Sequence, residues 1–180
     1  WTMKIDYYMQ QIRELALGKE LLINSFNYYI GMAENAIAIY NRANQLSGDV
    51  QYSICHRRIF YPNYAMHYLD PTNMLIDVRV RDISGYIKAK FFSEGITIDE
   101  ILEFVSEYRL NDKEINILYA RLFYPTYYFD IFEDGIVSEY EEKDIIRYLE
   151  KRNEYEKLLF DYFMYLKDTH FVYEIEWIKK

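Results

Sequence analysis

At 180 residues with 51% hydrophobic side chains, the chain is long enough for one domain with a substantial core. It contains no apolar run near the roughly 18 residues of a membrane span, and its net charge of −8 opposes nucleic-acid binding, which needs excess Lys and Arg to displace counterions. A single cysteine, Cys55, excludes an internal disulfide and fits a reducing, cytoplasmic setting.

The first half reads as helix, turn and extended segments. A helix is expected over 2–17, with Gly18 as separator. The chain opens at Trp1 directly in this helical pattern, which predicts an upstream segment of the protein. Leu22, Phe26, Tyr29, Ile30, Ala33, Ile37 and Tyr40 recur at helical spacing and predict a long helix over 19–45. Ser47-Gly48-Asp49 marks a turn. Residues 50–60 look extended, and Met74 to Asp77 form a second short strand after a loop containing Pro and Asn.

The second half reads as helices. One spans Asp82 to Phe92 and ends at Gly95. Thr97 with Glu100 predicts a capping box for the next, whose apolar face is Ile98, Ile101, Leu102 and Val105. Asn111 with Glu114 repeats the signal ahead of Ile115, Leu118, Tyr119 and Leu122. Pro125 should end that helix. Ser138 with Glu141 should start a last long helix burying Leu159, Tyr162, Phe163 and Leu166. The fold class is therefore mainly α with a small β element, and residues 1–180 read as a single domain.

Charge is uneven along the chain. Residues 1–95 carry 10 basic and 9 acidic side chains, and residues 96–180 carry 11 and 20. Many of the 21 tyrosines must be buried, with their hydroxyls reaching a partner or the rim. Glu139, Glu141, Glu142, Asp144, Glu150, Glu154 and Glu156 make the last helices acidic, which is a solvated face or a surface for a basic partner.

Four segments carry a resemblance: Ser25 to Ala36 (SFNYYIGMAENA), Ile54-Cys55-His56, Arg81 to Ile87 (RDISGYI) and Leu118 to Pro125 (LYARLFYP). In this order they resemble the YutH-like, endospore coat-associated members of the spore coat S family, over roughly residues 1–135. The wider resemblance is to the aminoglycoside phosphotransferase and choline kinase superfamily. It implies a protein-kinase-like C-terminal lobe whose N-terminal ATP lobe lies outside this chain or was lost.

In kinases of that superfamily the catalytic loop reads His-x-Asp, with Asn five residues later. His56 and Asn63 keep this spacing, but Arg58 stands at the Asp position. The Asp would accept the proton of the substrate hydroxyl. A guanidinium stays protonated and offers only donors. The resemblance thus implies a degenerate catalytic loop.

Asn63 fits the register of a metal-binding Asn or is a turn residue after Pro62. The second metal ligand has three candidates, Asp70, Asn73 and Asp77, and an amide at Asn73 would hold Mg²⁺ less well than a carboxylate. The reading favours a lost or weakened metal site. Asp82 and His56 read as structural braces of the catalytic loop. Arg57, Arg58, Arg79 and Arg81 form a candidate anion-binding group, or else pair with Asp70, Asp77, Asp82 and helix ends. His67 and His170 lack ligand-like spacing. Cys55 is too isolated for zinc, and His56 beside it on a strand would face the other way.

The expected function is a catalytically inactive, kinase-like protein with a structural or binding role. It would have protein partners, among them spore coat proteins, would be made in the cytoplasm and deposited on the coat, and would use no cofactor. One alternative is a small-molecule phosphotransferase with altered metal ligands, using ATP and Mg²⁺ once joined to an N-terminal lobe. The chain has no glycine-rich nucleotide loop of its own. The other is a stand-alone helical interaction domain.

Overall fold

The computed structural model describes residues 1–15, 19–59, 68–137 and 142–175. Asn63, His67, Gly18 and the Ser138–Glu141 signal lie outside them. Among the described residues the order is α1 (Thr2–Leu15), α2 (Glu20–Ala43), β1 (Tyr52–His56), β2 (Met74–Val78), α3 (Val80–Ser93), α4 (Ile98–Ser106), α5 (Asp112–Phe123), α6 (Thr126–Val137), α7 (Glu142–Glu150) and α8 (Arg152–Thr169). These residues are mainly helical with one two-stranded antiparallel sheet among them, as the sequence patterns predict.

The helix α5 is the axle. Asn111 caps it, and Glu114 returns to the Asn111 N–H to complete the capping box. Glu114 to Ala120, Leu122 and Phe123 are all buried, so the helix is surrounded rather than amphipathic. The long helix α2 packs along it, and α3 takes another side. In α2 the buried arc is broader than the predicted stripe, adding Met32, Ala36, Ile39 and Ala43 and leaving Ile37 and Tyr40 half-buried. Asn116, fully buried in α5, is satisfied at both ends of its amide. It donates to the carbonyls of Asp112 (2.8 Å) and Phe171 (2.7 Å) and accepts from the Tyr173 N–H (3.0 Å), tying the C-terminal segment to the core.

The stops follow local chemistry. Gly95 sits at φ +94° after α3 with its N–H on the Lys90 carbonyl, a backbone position that suits glycine. Tyr124 precedes Pro125 and is extended (ψ 118°), which separates α5 from α6. Thr97 and Glu100 form the predicted capping box of α4. There Lys90 and the Thr97 N–H and hydroxyl hold the exposed Glu100 carboxyl down at about 2.

Two expectations need correction. The predicted last long helix is two helices, α7 and α8, broken at Lys151. The Lys151 ammonium reaches the Phe91 and Phe92 carbonyls (3.3 and 3.0 Å) near the end of α3, where a cation is favoured. The other concerns the tyrosines. The hydroxyls of Tyr128 and Tyr155 do find the Leu22 and Leu122 carbonyls (3.0 and 2.7 Å), and Tyr8 and Tyr28 find Glu133 and Glu156. Those of Tyr29, Tyr119, Tyr124 and Tyr162 are buried with no partner among the described residues. Ring packing wins at these positions: Tyr29 stacks on Tyr128 at 4.0 Å between centroids, and Tyr119 packs on Phe123 at 4.9 Å. A buried, unpaired hydroxyl costs about 1–3 kcal/mol. Tyr162→Phe is therefore expected to leave the unfolding midpoint unchanged or raise it, by up to about 1 kcal/mol in urea denaturation. A loss of more than that would mean the hydroxyl has a partner in solution.

The sheet positions the loops. Ile54 pairs with Ile76 and Cys55 with Leu75. The Cys55 side chain is fully buried, with its sulfur 3.6 Å from the Val78 carbonyl, and burial pushes the thiol's pKa up. It is unsuited to nucleophilic work.

Candidate functional site

The end of β1 and the start of α3 are held together by one carboxylate. Asp82 lies in the first turn of α3, because the helix begins at Val80 rather than at Asp82 as predicted. Its Oδ1 accepts from the His56 N–H (2.9 Å), and its Oδ2 pairs with the His56 ring Nδ1 (2.7 Å). The far nitrogen of that ring faces the Tyr68 carbonyl at 3.4 Å. This geometry spends Asp82 on the neighbouring strand end rather than on capping its own helix.

Residue 58 is fixed through its backbone. Asn73 Oδ1 accepts from the Arg58 N–H (3.0 Å), and Asn73 Nδ2 donates to the Arg58 carbonyl (3.1 Å). The Arg58 guanidinium meets Asp130 of α6 at 2.5 Å. Asn73 therefore clamps the loop with both ends of its amide. Asp70 caps the short 3-10 turn Pro71–Asn73, accepting from the N–H and hydroxyl of Thr72 (2.9 and 2.8 Å).

Asp77 bridges two guanidiniums, Arg81 at 2.7 Å and Arg121 at 2.9 Å. Burial would raise its pKa, but these arginines and the Val78 N–H outweigh it and hold the carboxyl below its usual range. Among the described residues no three His, Cys, Asp or Glu side chains gather as a metal site would need. Each of the candidates Asp70, Asn73 and Asp77 is engaged with a protein partner.

The four arginines do not converge. Arg57, Arg58 and Arg81 line one cleft, but Arg79 turns to the far side of the His56–Asp82 pair. There it makes a two-pronged bond with the buried Glu114, 2.8 Å from Nε and 2.7 Å from Nη2. Glu114 gives the reason: a buried carboxylate needs a planar donor pair, and Arg79 supplies it. The partners of Arg79 and Arg58 are thus Glu114 and Asp130, which lie outside the expected set of Asp70, Asp77, Asp82 and helix ends. Arg81 does pair with Asp77.

The cleft on the Arg58 side has a volume of about 520 Å³ and lies among α1, the end of β1, α3, α5 and α6. Two cations that sequence reasoning missed line it. Lys88 of α3 is 5% exposed and donates to the Tyr124 carbonyl (2.6 Å) and Thr126 Oγ1 (3.2 Å). Burial foremost, then the nearby Arg121 charge, push its pKa down to about 7. The Arg121 side chain is 12% exposed, and its Nε has no hydrogen-bond partner among the described residues. Lys4 adds a further cation, paired with Glu133 at 2.6 Å. Lys88 shares the Ser84, Ile87 and Phe91 face of α3, and Arg121 sits within the apolar Leu118–Phe123 pattern. A charged residue on a buried face was the available signal for both.

His170 pairs with Asp112 at 2.7 Å, far along the chain from these loops. Of the predicted acidic face, Glu139 and Glu141 lie outside the described residues, Glu150 and Glu154 are exposed, and Glu156 accepts from the Tyr28 hydroxyl. No described helix is long and apolar enough to cross a membrane.

No solved structure matches the chain. The endospore coat-associated protein YutH of Bacillus subtilis (strain 168) is 30% identical over 133 residues, covering 68% of this chain and 39% of that protein. The chain therefore spans well under half the length of this relative. The family model described as "Spore coat putative kinase YutH" matches residues 6–162. With most of its length inside that match, the chain belongs to the YutH family of spore coat-associated proteins.

Proposed function

We propose that this chain is the C-terminal lobe of a kinase-derived protein that no longer transfers phosphate and serves the spore coat by binding. The observation that carries this is Arg58. It occupies the position of the catalytic carboxylate in the His-x-Asp frame, its backbone is clamped by Asn73, and its guanidinium is tied to Asp130. A fixed cation there cannot accept a proton from a substrate hydroxyl. The engagement of Asp70, Asn73 and Asp77 with protein groups supports loss of the metal as well. Coat association rests on the relative, whose name places it with the endospore coat. The partners under this reading are other coat proteins, and no cofactor is needed.

The test is transfer of the ATP γ-phosphate, with Mg²⁺, by the full-length protein that contains this chain. No turnover above the protein-free background is expected. Turnover that disappears in Asp130→Asn or Asp77→Asn would overturn the reading, because it would show that a neighbouring carboxylate has taken over as base or metal ligand.

A further inference from the structure

The cleft is electropositive in a protein of net charge −8. Lys4, Arg57, Arg58, Arg81, Lys88 and Arg121 line it, against the carboxylates of Asp130 and Glu133. Those carboxylates are already engaged, Asp130 by Arg58 and Glu133 by Lys4 and Tyr8. Asp77, just behind the wall, is divided between Arg81 and Arg121. The described contacts of the Lys88 ammonium are to neutral oxygens only, and Arg57 bonds to no carboxylate among the described residues.

Two donors at this cleft are left over. An ammonium has three N–H groups, and Lys88 uses two of them. Arg121 Nε, buried in the wall just behind the cleft, is the other: it has no partner among the described residues. Leaving such donors unmade is costly, and two buried cations near each other raise the cost. An anion placed between them would relieve both terms at once.

The shape selects the anion. A volume of about 520 Å³ is in the range of small-molecule pockets and far exceeds a bare ion. Ile59, Tyr127 and Ile131 supply an apolar wall beside the cations. Close approach at that wall depends on Gly85, since a Cβ there would lie 3.0 Å from Ile59 Cδ1. A carboxylate carries one charge and two acceptor oxygens. A phosphomonoester carries nearly two charges and three free oxygens, which better match Lys88, Arg121 and the rim arginines.

We propose that this cleft binds a phosphomonoester without a metal ion, with Lys88 and Arg121 gripping the phosphate and Ile59, Tyr127 and Ile131 receiving the apolar group it esterifies. The inference goes beyond catalytic inactivity and does not depend on it. A failure of the earlier reading appears as ATP turnover, and a failure of this one as absent binding.

The experiment is isothermal titration of the full-length protein that contains this chain with phenyl phosphate, inorganic phosphate and benzoate, in EDTA and in a buffer free of phosphate and sulfate. Phenyl phosphate is expected to bind at one site, inorganic phosphate more weakly, and benzoate weakest. Lys88→Met and Arg121→Gln should each weaken phenyl phosphate about tenfold, the loss of one charge-assisted bond. If either buried variant fails to fold, Arg57→Gln at the exposed rim carries the test, with weaker binding and a shallower salt dependence. The proposal is overturned if phenyl phosphate does not bind, if benzoate binds as tightly, or if affinity is unchanged in every folded variant.

Discussion

Lys88→Met should make the protein more stable at neutral pH, and the gain should vanish in alkaline buffer. In the unfolded chain the lysine keeps its ordinary pKa of 10.5, whereas in the folded protein burial and Arg121 push it down to about 7. Between these values the unfolded state binds more protons, so this group makes stability rise with pH. Its penalty is fully present below about 7 and is gone above the unfolded value. The shift corresponds to a ceiling on the order of 3–5 kcal/mol, less about 1 kcal/mol for the hydrogen bonds that methionine cannot make. Methionine fills much of the same volume and leaves the Tyr124 carbonyl with its Thr126 N–H donor at 2.8 Å. Urea midpoints of both proteins at about pH 6.5 and about pH 9.5 measure the effect. Parallel pH dependence in the two proteins would show that Lys88 is solvated or paired in solution.

Glu114→Ala should cost about 2–3 kcal/mol, because it removes a buried carboxylate that accepts several hydrogen bonds and leaves the partly exposed Arg79 guanidinium without its partner. The Glu114 side chain is 3% exposed and serves three elements at once. It takes two bonds from Arg79 between β2 and α3, one from the Gln51 N–H ahead of β1 (3.1 Å), and one from the Asn111 N–H at the start of α5 (3.4 Å). Burial alone would raise its pKa, but Arg79 and the two N–H donors outweigh it and leave it lowered. Its stabilisation is therefore present above the unfolded carboxyl pKa and is lost as pH falls through the folded one. Denaturant unfolding at neutral pH measures the cost, and the double variant Arg79→Met with Glu114→Met should recover part of it. An additive double variant would mean that the pair is not coupled.

Most of the fold was legible because the signals were local. The capping boxes at Thr97 and Asn111 need only four residues, and the apolar spacing of α2 and α8 needs only a helical period. The break at Lys151 was hidden because its cause is the distant carbonyls of Phe91 and Phe92. The site divides the same way. The His56 frame and Asp82 stand at readable spacings. The grouping of arginines failed at Arg79, because sequence proximity cannot reveal that Glu114 lies beneath it. Lys88 and Arg121 were passed over for a related reason. Charge on a buried helix face looks like an imperfection in the pattern until a cavity is found against it.

The enclosure of α5 also sets how the molecule opens. A helix covered on every side by α2, α3 and the C-terminal segment cannot expose its amides by fraying or by swinging one neighbour away. Deuterium should enter its central N–H groups, around Leu118 and Tyr119, only when the whole structure lets go. Their exchange rate would thus read the global unfolding equilibrium directly, whereas α1, with Met3, Tyr7 and Met9 in solvent, should exchange early and report only its own loosening.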